Sequence, residues 1–238
     1  MQSKTNVVLV HGAWADGSSW SKVISLLDPK RFNVTAVQIP LTSLGDDITV
    51  TRNALAAQKG PTVLVGHSYG GAVITGAAHQ APNVTALVYI AAFGLDEGES
   101  LEALSKQGPA TAGAAQIRPD ANGFLWIDRD GFAKVFAADV DPEEARIMAA
   151  VQKPLSVKSF TAKSGPPAWK HIRSWYLVSL NDQMIPPQAE EFMAKRMGAT
   201  VRAVRASHAS MVSHPQEVAD MIGAAVAEGV VEEIAAVK

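Results

Sequence analysis

The stretch Thr62-Val63-Leu64-Val65-Gly66-His67-Ser68-Tyr69-Gly70-Gly71-Ala72-Val73-Ile74-Thr75-Gly76-Ala77-Ala78 decides how the rest of this chain is read. Its first four residues are branched and end at glycine, which fits a short strand covered on both faces. Its last seven are small or apolar and free of proline, which fits a helix. Between them stands G-x-S-x-G, Gly66 to Gly70. A serine on so tight a strand-to-helix turn takes strained backbone angles, and the chain tolerates this only if the residues two away are tiny. The turn lifts the hydroxyl above the end of the strand. It also points the helix N-terminus, with its free N–H groups and positive dipole end, at whatever attaches there. Alone, the pattern is a common glycine-rich turn. With a strand before it and a helix after it, Ser68 becomes the candidate nucleophile.

Working outward, short apolar runs alternate with longer mixed segments. Strands are expected at Asn6 to Val10, Phe32 to Ile39, Thr62 to Val65, Thr85 to Ala91, Ser174 to Ser179 and Thr200 to Arg205. Helices are expected at Ser19 to Leu27, Asp46 to Lys59, Gly70 to Gln80, Pro187 to Met197 and Pro215 to Glu228, the last continuing towards Ala236. Strands that alternate with helices predict an α/β fold, a mostly parallel sheet of six strands flanked by helices. From Leu95 to about Trp169 the rhythm breaks. That stretch has a short Phe124-Leu125-Trp126-Ile127 run, helical pieces at Phe132 to Ala138 and Pro142 to Gln152, and no strong buried strand. It reads as an insertion over the C-terminal edge of the sheet, with the core formed by residues 1–94 and 170–238.

Composition removes several classes of function. The 238 residues are 47% hydrophobic and 18% charged, which excludes disorder. Lys plus Arg is 21 against 23 Asp plus Glu, with no basic patch for a nucleic acid. Cysteine is absent, which excludes disulfides, thiol nucleophiles and Cys-ligated metals. The longest apolar run, Ala86 to Phe93, is far short of the roughly 18 residues of a membrane span. The start, Met1 to Thr5 and then Val7-Val8-Leu9-Val10, lacks the apolar core of about 7–15 residues of a secretory leader, so a cytoplasmic protein is expected. No metal-binding helix, EF-hand loop, dinucleotide fingerprint or phosphate loop occurs, and no metal or cofactor is expected.

A serine hydroxyl is a poor nucleophile near neutral pH and needs a base. Of the six histidines, His208 follows the last strand in Ala206-Ser207-His208-Ala209-Ser210-Met211, at the sheet edge where α/β sites are built. His214, before Pro215, is the rival. The base needs an orienting carboxylate. Asp182, in Leu180-Asn181-Asp182-Gln183-Met184-Ile185-Pro186-Pro187, lies at the same edge, and Asp96 after the fourth strand is the alternative. The order Ser68, Asp182, His208 is the one this elbow predicts. After the first strand, His11-Gly12-Ala13-Trp14 is a small-residue loop that can set the Ala13 N–H beside the Tyr69 N–H as an oxyanion hole. Such donors contribute about 2.7–4 kcal/mol each to a transition state. His11 itself reads as structural. Trp14, Phe93, Trp126, Phe136, Met184 and Met211 are the pocket candidates, since all fall on loops or on the insertion.

These residues, across essentially the whole chain, resemble the α/β-hydrolase superfamily. More narrowly, they resemble the small-cap branch of plant methylesterases, hydroxynitrile lyases and bacterial carboxylesterases. The resemblance rests on His11 to Trp14, the Gly66 to Gly71 elbow, Asp182 before Ile185-Pro186-Pro187, and His208 with Met211 and Pro215 after it. It implies a cap over residues 95–169 and a Ser68, Asp182, His208 triad. Lyase members of the branch carry Thr in the first loop and Lys after the histidine, whereas this chain has Gly12 and Ala209. Ser68 in place of Asp excludes dehalogenase chemistry. The expectation is a serine hydrolase of small carboxylic esters, acting without a cofactor, with no nucleic-acid or membrane partner and a homodimer left open. A cofactor-free lyase or C–C bond hydrolase with the same triad, and a ligand receptor with little turnover, are the alternatives.

Overall fold

The computed structural model describes residues 4–108 and 110–236. Met1–Ser3, on which the leader reading partly falls, and Val237–Lys238, the end of the expected core, lie outside the described residues. In chain order the first half comprises β1 (Thr5–Val10), α1 (Ser21–Leu26), β2 (Phe32–Val37), α2 (Leu44–Ala56), β3 (Thr62–His67), α3 (Tyr69–Ala77) and β4 (Val84–Ile90). The insertion follows with α4 (Leu101–Ser105), β5 (Ile117–Pro119), β6 (Phe124–Ile127), α5 (Arg129–Phe136), α6 (Pro142–Val151), β7 (Leu155–Ser156) and α7 (Val157–Thr161). The chain then returns to the sheet through β8 (Ser174–Ser179), α8 (Pro187–Arg196), β9 (Thr200–Val204), α9 (Ser210–Ser213) and α10 (Pro215–Ala236). No helix among the described residues is long and apolar enough to cross a membrane.

Six parallel strands form one sheet in the order β2-β1-β3-β4-β8-β9. The central strands are buried along both faces, as continuous Val, Leu and Ile runs require. The edge strand β9 is different, with four of its five residues exposed, and β2 is only partly covered. These two strands stand at the edges of the sheet, where no further strand shields the chain. Helix α3 is buried at every position and apolar all round, as a helix needs to be when it lies between the sheet and its neighbours.

The strand order reverses between β1 and β3, because the chain builds outward to β2 on one side and to β4, β8 and β9 on the other. In such sheets the crevice beyond the carboxyl ends at the reversal is where ligands bind. Val10 pairs with Gly66 there, so the loop after β1 lies beside the turn after β3.

The insertion leaves after β4 and returns at β8. Where a single apolar run stood out in the sequence, three short strands pair into an antiparallel sheet, β5-β6-β7. β5 and β7 have three and two residues, too few to show a period. The two helical pieces are started by aspartates. Asp128 accepts from the Asp130 N–H, and Asp141, before Pro142, accepts from the Glu143 and Glu144 N–H groups. Near the first strand, the expected single helix at Ser19 to Leu27 divides into a 3₁₀ turn, Gly17–Trp20, capped by Asp16, and then α1.

Candidate active site

Ser68 stands between β3 and α3 with φ 52° and ψ −121°. For a residue with a Cβ this backbone costs on the order of 1–3 kcal/mol and persists only where neighbours enforce it. They do so on both sides of the residue. The Ser68 N–H donates to the Ile90 carbonyl at 3.2 Å, and the Ser68 carbonyl accepts from the Gly71 and Phe93 N–H groups, each at 3.0 Å. The turn closes only over glycine, since a Cβ on Gly66 would lie 2.6 Å from the Gly70 carbonyl oxygen.

His208 arrives in the loop between β9 and α9. Its Nε2 is 2.8 Å from Ser68 Oγ, and its Nδ1 is 2.6 Å from Asp182 Oδ2. With Nε2 accepting from the hydroxyl, Nδ1 carries the proton and donates to the carboxylate. His208 is fully buried, and Ser68 and Asp182 are each only 3% exposed. The other carboxylate oxygen, Oδ1 of Asp182, accepts from the Met184 and Ile185 N–H groups at 2.6 and 3.0 Å. The Asp182 carboxylate therefore takes three N–H donors. The rivals are elsewhere. Asp96 is on the surface, paired with Lys170 at 2.6 Å, and His214 lies against Ser213 and Asp139.

Contacts from the insertion and from the elbow itself hold the imidazole. The Phe136 ring meets it edge-on at 4.9 Å between centroids, and the Phe136 carbonyl accepts from the Ala209 N–H at 3.0 Å. Asp139 accepts from the Ser207 N–H at 2.9 Å. His67 donates from Nε2 to the His208 carbonyl at 2.9 Å, and burial holds its imidazole well below the usual histidine range, so it stays neutral. His67 sits between Gly66 and Ser68 in the turn. Its bond to the backbone of the very loop that delivers His208 had no local signal, because 141 positions separate the two residues.

The loop after β1 reaches Ser68 as expected. A Cβ on Gly12 would lie 2.8 Å from the Ser68 Cβ, so only glycine lets this loop pass so close. Trp14 has φ 58°, donates its N–H to the Lys153 carbonyl at 2.9 Å, and donates its indole N–H to the Leu125 carbonyl at 2.8 Å. The insertion thus pins the loop. The Ala13 N–H, in the same turn, has no hydrogen-bond acceptor among the described residues. The Tyr69 N–H opens α3, where no preceding helical carbonyl is available to it. The Tyr69 phenol donates to Asp47 Oδ2 at 2.5 Å, and Asp47 Oδ1 accepts from the Leu41 N–H at 2.7 Å. Burial raises the Asp47 carboxyl above its ordinary range. His11 is a structural bridge, with Nδ1 donating to the Gly12 carbonyl at 2.8 Å and Nε2 accepting from the Ile39 N–H at 3.1 Å. Burial brings its imidazole down to about 4.

A cavity of about 490 Å³ opens from Ser68 beneath the insertion. Trp14, Phe93 and Met184 line it; Trp126, Phe136 and Met211 do not. Trp126 turns outward and donates its indole N–H to Asp120 at 3.0 Å. Phe136 is consumed by packing against His208, and Met211 is buried in the core. The walls that sequence reading missed include Leu101, Leu104, Ile117, Phe160 and Phe192. They come from α4, β5, α7 and α8, short or amphipathic elements whose cavity faces only the fold defines. Among the described residues, none that lines it carries a charge. Among the described residues, no group of three or more His, Cys, Asp or Glu side chains gathers as a metal site.

Comparison with known proteins agrees with this fold. Residues 7–221 match the model of the alpha/beta hydrolase family. The chain is 27% identical to a pyrethroid hydrolase of Sphingobium wenxiniae, over 92% of this chain and 86% of that relative. It is 38% identical to a carbendazim hydrolyzing esterase of Nocardioides sp., over 42% of this chain and 46% of that one. Among solved structures, a pyrethroid hydrolase from Sphingobium faniae superimposes with a TM-score of 0.81 at 24% identity, covering 93% of this chain and 96% of that one.

Proposed function

The chain belongs to the alpha/beta hydrolase family, and from that premise we propose that it cleaves uncharged carboxylic esters through an acyl-enzyme on Ser68. Relatives named esterase or hydrolase support ester hydrolysis in general. The observation that carries the finer reading is the unbroken line from Ser68 Oγ to His208 Nε2 at 2.8 Å and from His208 Nδ1 to Asp182 at 2.6 Å.

In the proposed sequence, His208 Nε2 takes the hydroxyl proton as Ser68 Oγ bonds to the ester carbonyl carbon. The carbonyl π electrons move onto oxygen, and the O⁻ rests on the Ala13 and Tyr69 N–H groups, donors that are in place before the charge develops. Collapse of the tetrahedral adduct expels the alkoxide, which leaves as the alcohol with the proton from His208. Water then gives its proton to His208, attacks the acyl carbon and releases the acid, and Ser68 regains its proton. Asp182 holds the imidazole in the required tautomer and faces the imidazolium formed in each half.

Residues 95–169 act as a cap in this reading, and they set the substrate class. About 490 Å³ lies within the roughly 300–1,000 Å³ of small-molecule pockets. An acetyl ester would leave most of it empty. Walls without a charge would leave a carboxylate or ammonium on the substrate desolvated and unpaired. The favoured substrate is therefore a neutral ester with one sizeable apolar group.

A panel of p-nitrophenyl esters tests this. kcat/KM should rise from acetate to medium-chain acyl groups and collapse for a succinyl half-ester. Ser68→Ala should abolish turnover of every member while the thermal midpoint stays within a few degrees. Retained turnover would show that another group acts, and binding of the esters without turnover would favour the receptor reading.

A further inference from the structure

We propose that Glu190 is a positioning residue, a buried carboxylic acid that keeps its proton and donates it in a hydrogen bond to the Asp182 carboxylate. The proposal rests on the Ser68, His208 and Asp182 reading above and extends that line by one group.

Glu190 lies on the first turn of α8 and is fully buried. One oxygen, Oε2, accepts from the Ser179 N–H at 3.0 Å, at the end of β8. The other, Oε1, is enclosed and receives no donor among the described residues. The Ser179 carbonyl in turn accepts from the Asp182 N–H at 3.1 Å, so the two acids share one turn, and the Asp182 carboxyl neighbours that of Glu190 closely enough to raise it by charge and hydrogen bonding. An enclosed carboxylate oxygen with no donor is costly. An enclosed O–H with an acceptor beside it is not.

Two carboxyl groups in contact away from water cannot both be ionised, so one proton stays with the pair. The hydrogen-bond count decides where. Asp182 accepts from the Met184 N–H, the Ile185 N–H and His208 Nδ1. Glu190 accepts from one N–H. The three donors favour the charge on Asp182, so the proton belongs to Glu190. The N-terminal field of α8 favours a charge on Glu190, but that is smaller than the repulsion of two buried anions in contact. The ionisable groups around Glu190 are Asp182, with His208 beyond it, Tyr176 on β8 and Glu191 on α8. None of them is a cation next to it. Burial first, and the Asp182 charge second, push the Glu190 carboxyl well above the usual carboxylate range.

In this arrangement Asp182 is held on both sides. Its Oδ1 is fixed by the loop that follows β8, and Glu190 reaches it from the helix behind. The acid that orients His208 is thereby tied to two elements, and its remaining acceptor capacity is used.

The test is the pH profile of kcat and KM for Glu190→Leu and Glu190→Gln, with Ser68→Ala alongside. Glu190→Leu leaves Asp182 one donor short. kcat should fall roughly 10-fold or more, the worth of a hydrogen bond to a charged group, with KM unchanged. Glu190→Gln supplies a neutral donor for Asp182 and an acceptor for Ser179, so it should recover most of the lost kcat. Its acid limb should coincide with that of the wild type, because one neutral group replaces another. The proposal is overturned if Glu190→Leu keeps full kcat or if Glu190→Gln is as impaired as Glu190→Leu. It is also overturned if the acid limb of Glu190→Gln moves to lower pH, the mark of a lost negative charge. Should Glu190→Leu not fold, the acid limb of Glu190→Gln alone decides. Activity remaining in Ser68→Ala would instead overturn the triad reading, whatever Glu190 does.

Discussion

Strand β3 is buried at all six of its positions, whereas the insertion strands β5 and β6 bury two of seven between them. The two regions solve different problems. The sheet fixes atoms: it holds Ser68 in a strained conformation, and its loops bring Asp182 and His208 within hydrogen-bond reach. The insertion encloses space: its short elements surround a cavity without a charged wall and hold the loops that carry Trp14 and His208. A residue of the sheet edge should therefore govern the rate with every substrate. A residue of the insertion should govern which substrate is taken.

The largest effect expected from that division concerns the acid. Asp182→Asn should lower kcat about 10⁴-fold by favouring the wrong imidazole tautomer. Asp96→Asn, which only breaks a surface ion pair with Lys170, should leave kcat within about a factor of two. The reverse ranking would move the acid to Asp96. A second effect is on stability. His11 is buried with its imidazole lowered to about 4, so the unfolded chain takes up a proton there that the folded chain refuses. Its contribution is full above about pH 6.5 and is lost as pH falls from there to about 4, by roughly 3 kcal/mol. Urea unfolding at pH 7 and pH 4.5 should show a smaller loss for His11→Gln than for the wild type; equal losses would refute the assignment.

Gly12→Ala tests the approach of the loop to the elbow. The new Cβ would lie 2.8 Å from that of Ser68, and a displacement of this kind should lower kcat/KM roughly 10²-fold with all esters alike. The smallest effect belongs to the insertion. Leu104→Trp narrows the cavity and should lower kcat/KM for medium-chain esters by roughly 10-fold while acetate turnover holds. A uniform loss across the panel would erase the distinction between the two regions.

The same division explains what could be read before the fold was known. The strand–turn–serine–turn–helix pattern, the six strands and the Ser68, Asp182, His208 order are local signals, carried by β-branched runs, glycines and loop positions. Their geometry follows from contiguous residues and the hand of the sheet. The cavity walls are not local. Phe136 and Trp126 are aromatic residues on the insertion, and nothing in their neighbours tells that one packs on His208 while the other bonds Asp120 at the surface. Leu104 and Phe160 lie on helices of five residues, too short for a periodic face. Glu190 looks like an ordinary acidic residue in the first turn of a helix until β8 and Asp182 close over it.

Treatment of the intact protein with a fluorophosphonate probe, followed by peptide mapping, tests the account at its centre. It predicts a single stoichiometric adduct on Ser68, slowed in Asp182→Asn and absent in Ser68→Ala. An adduct on a different residue, or none while esterase activity persists, would contradict it.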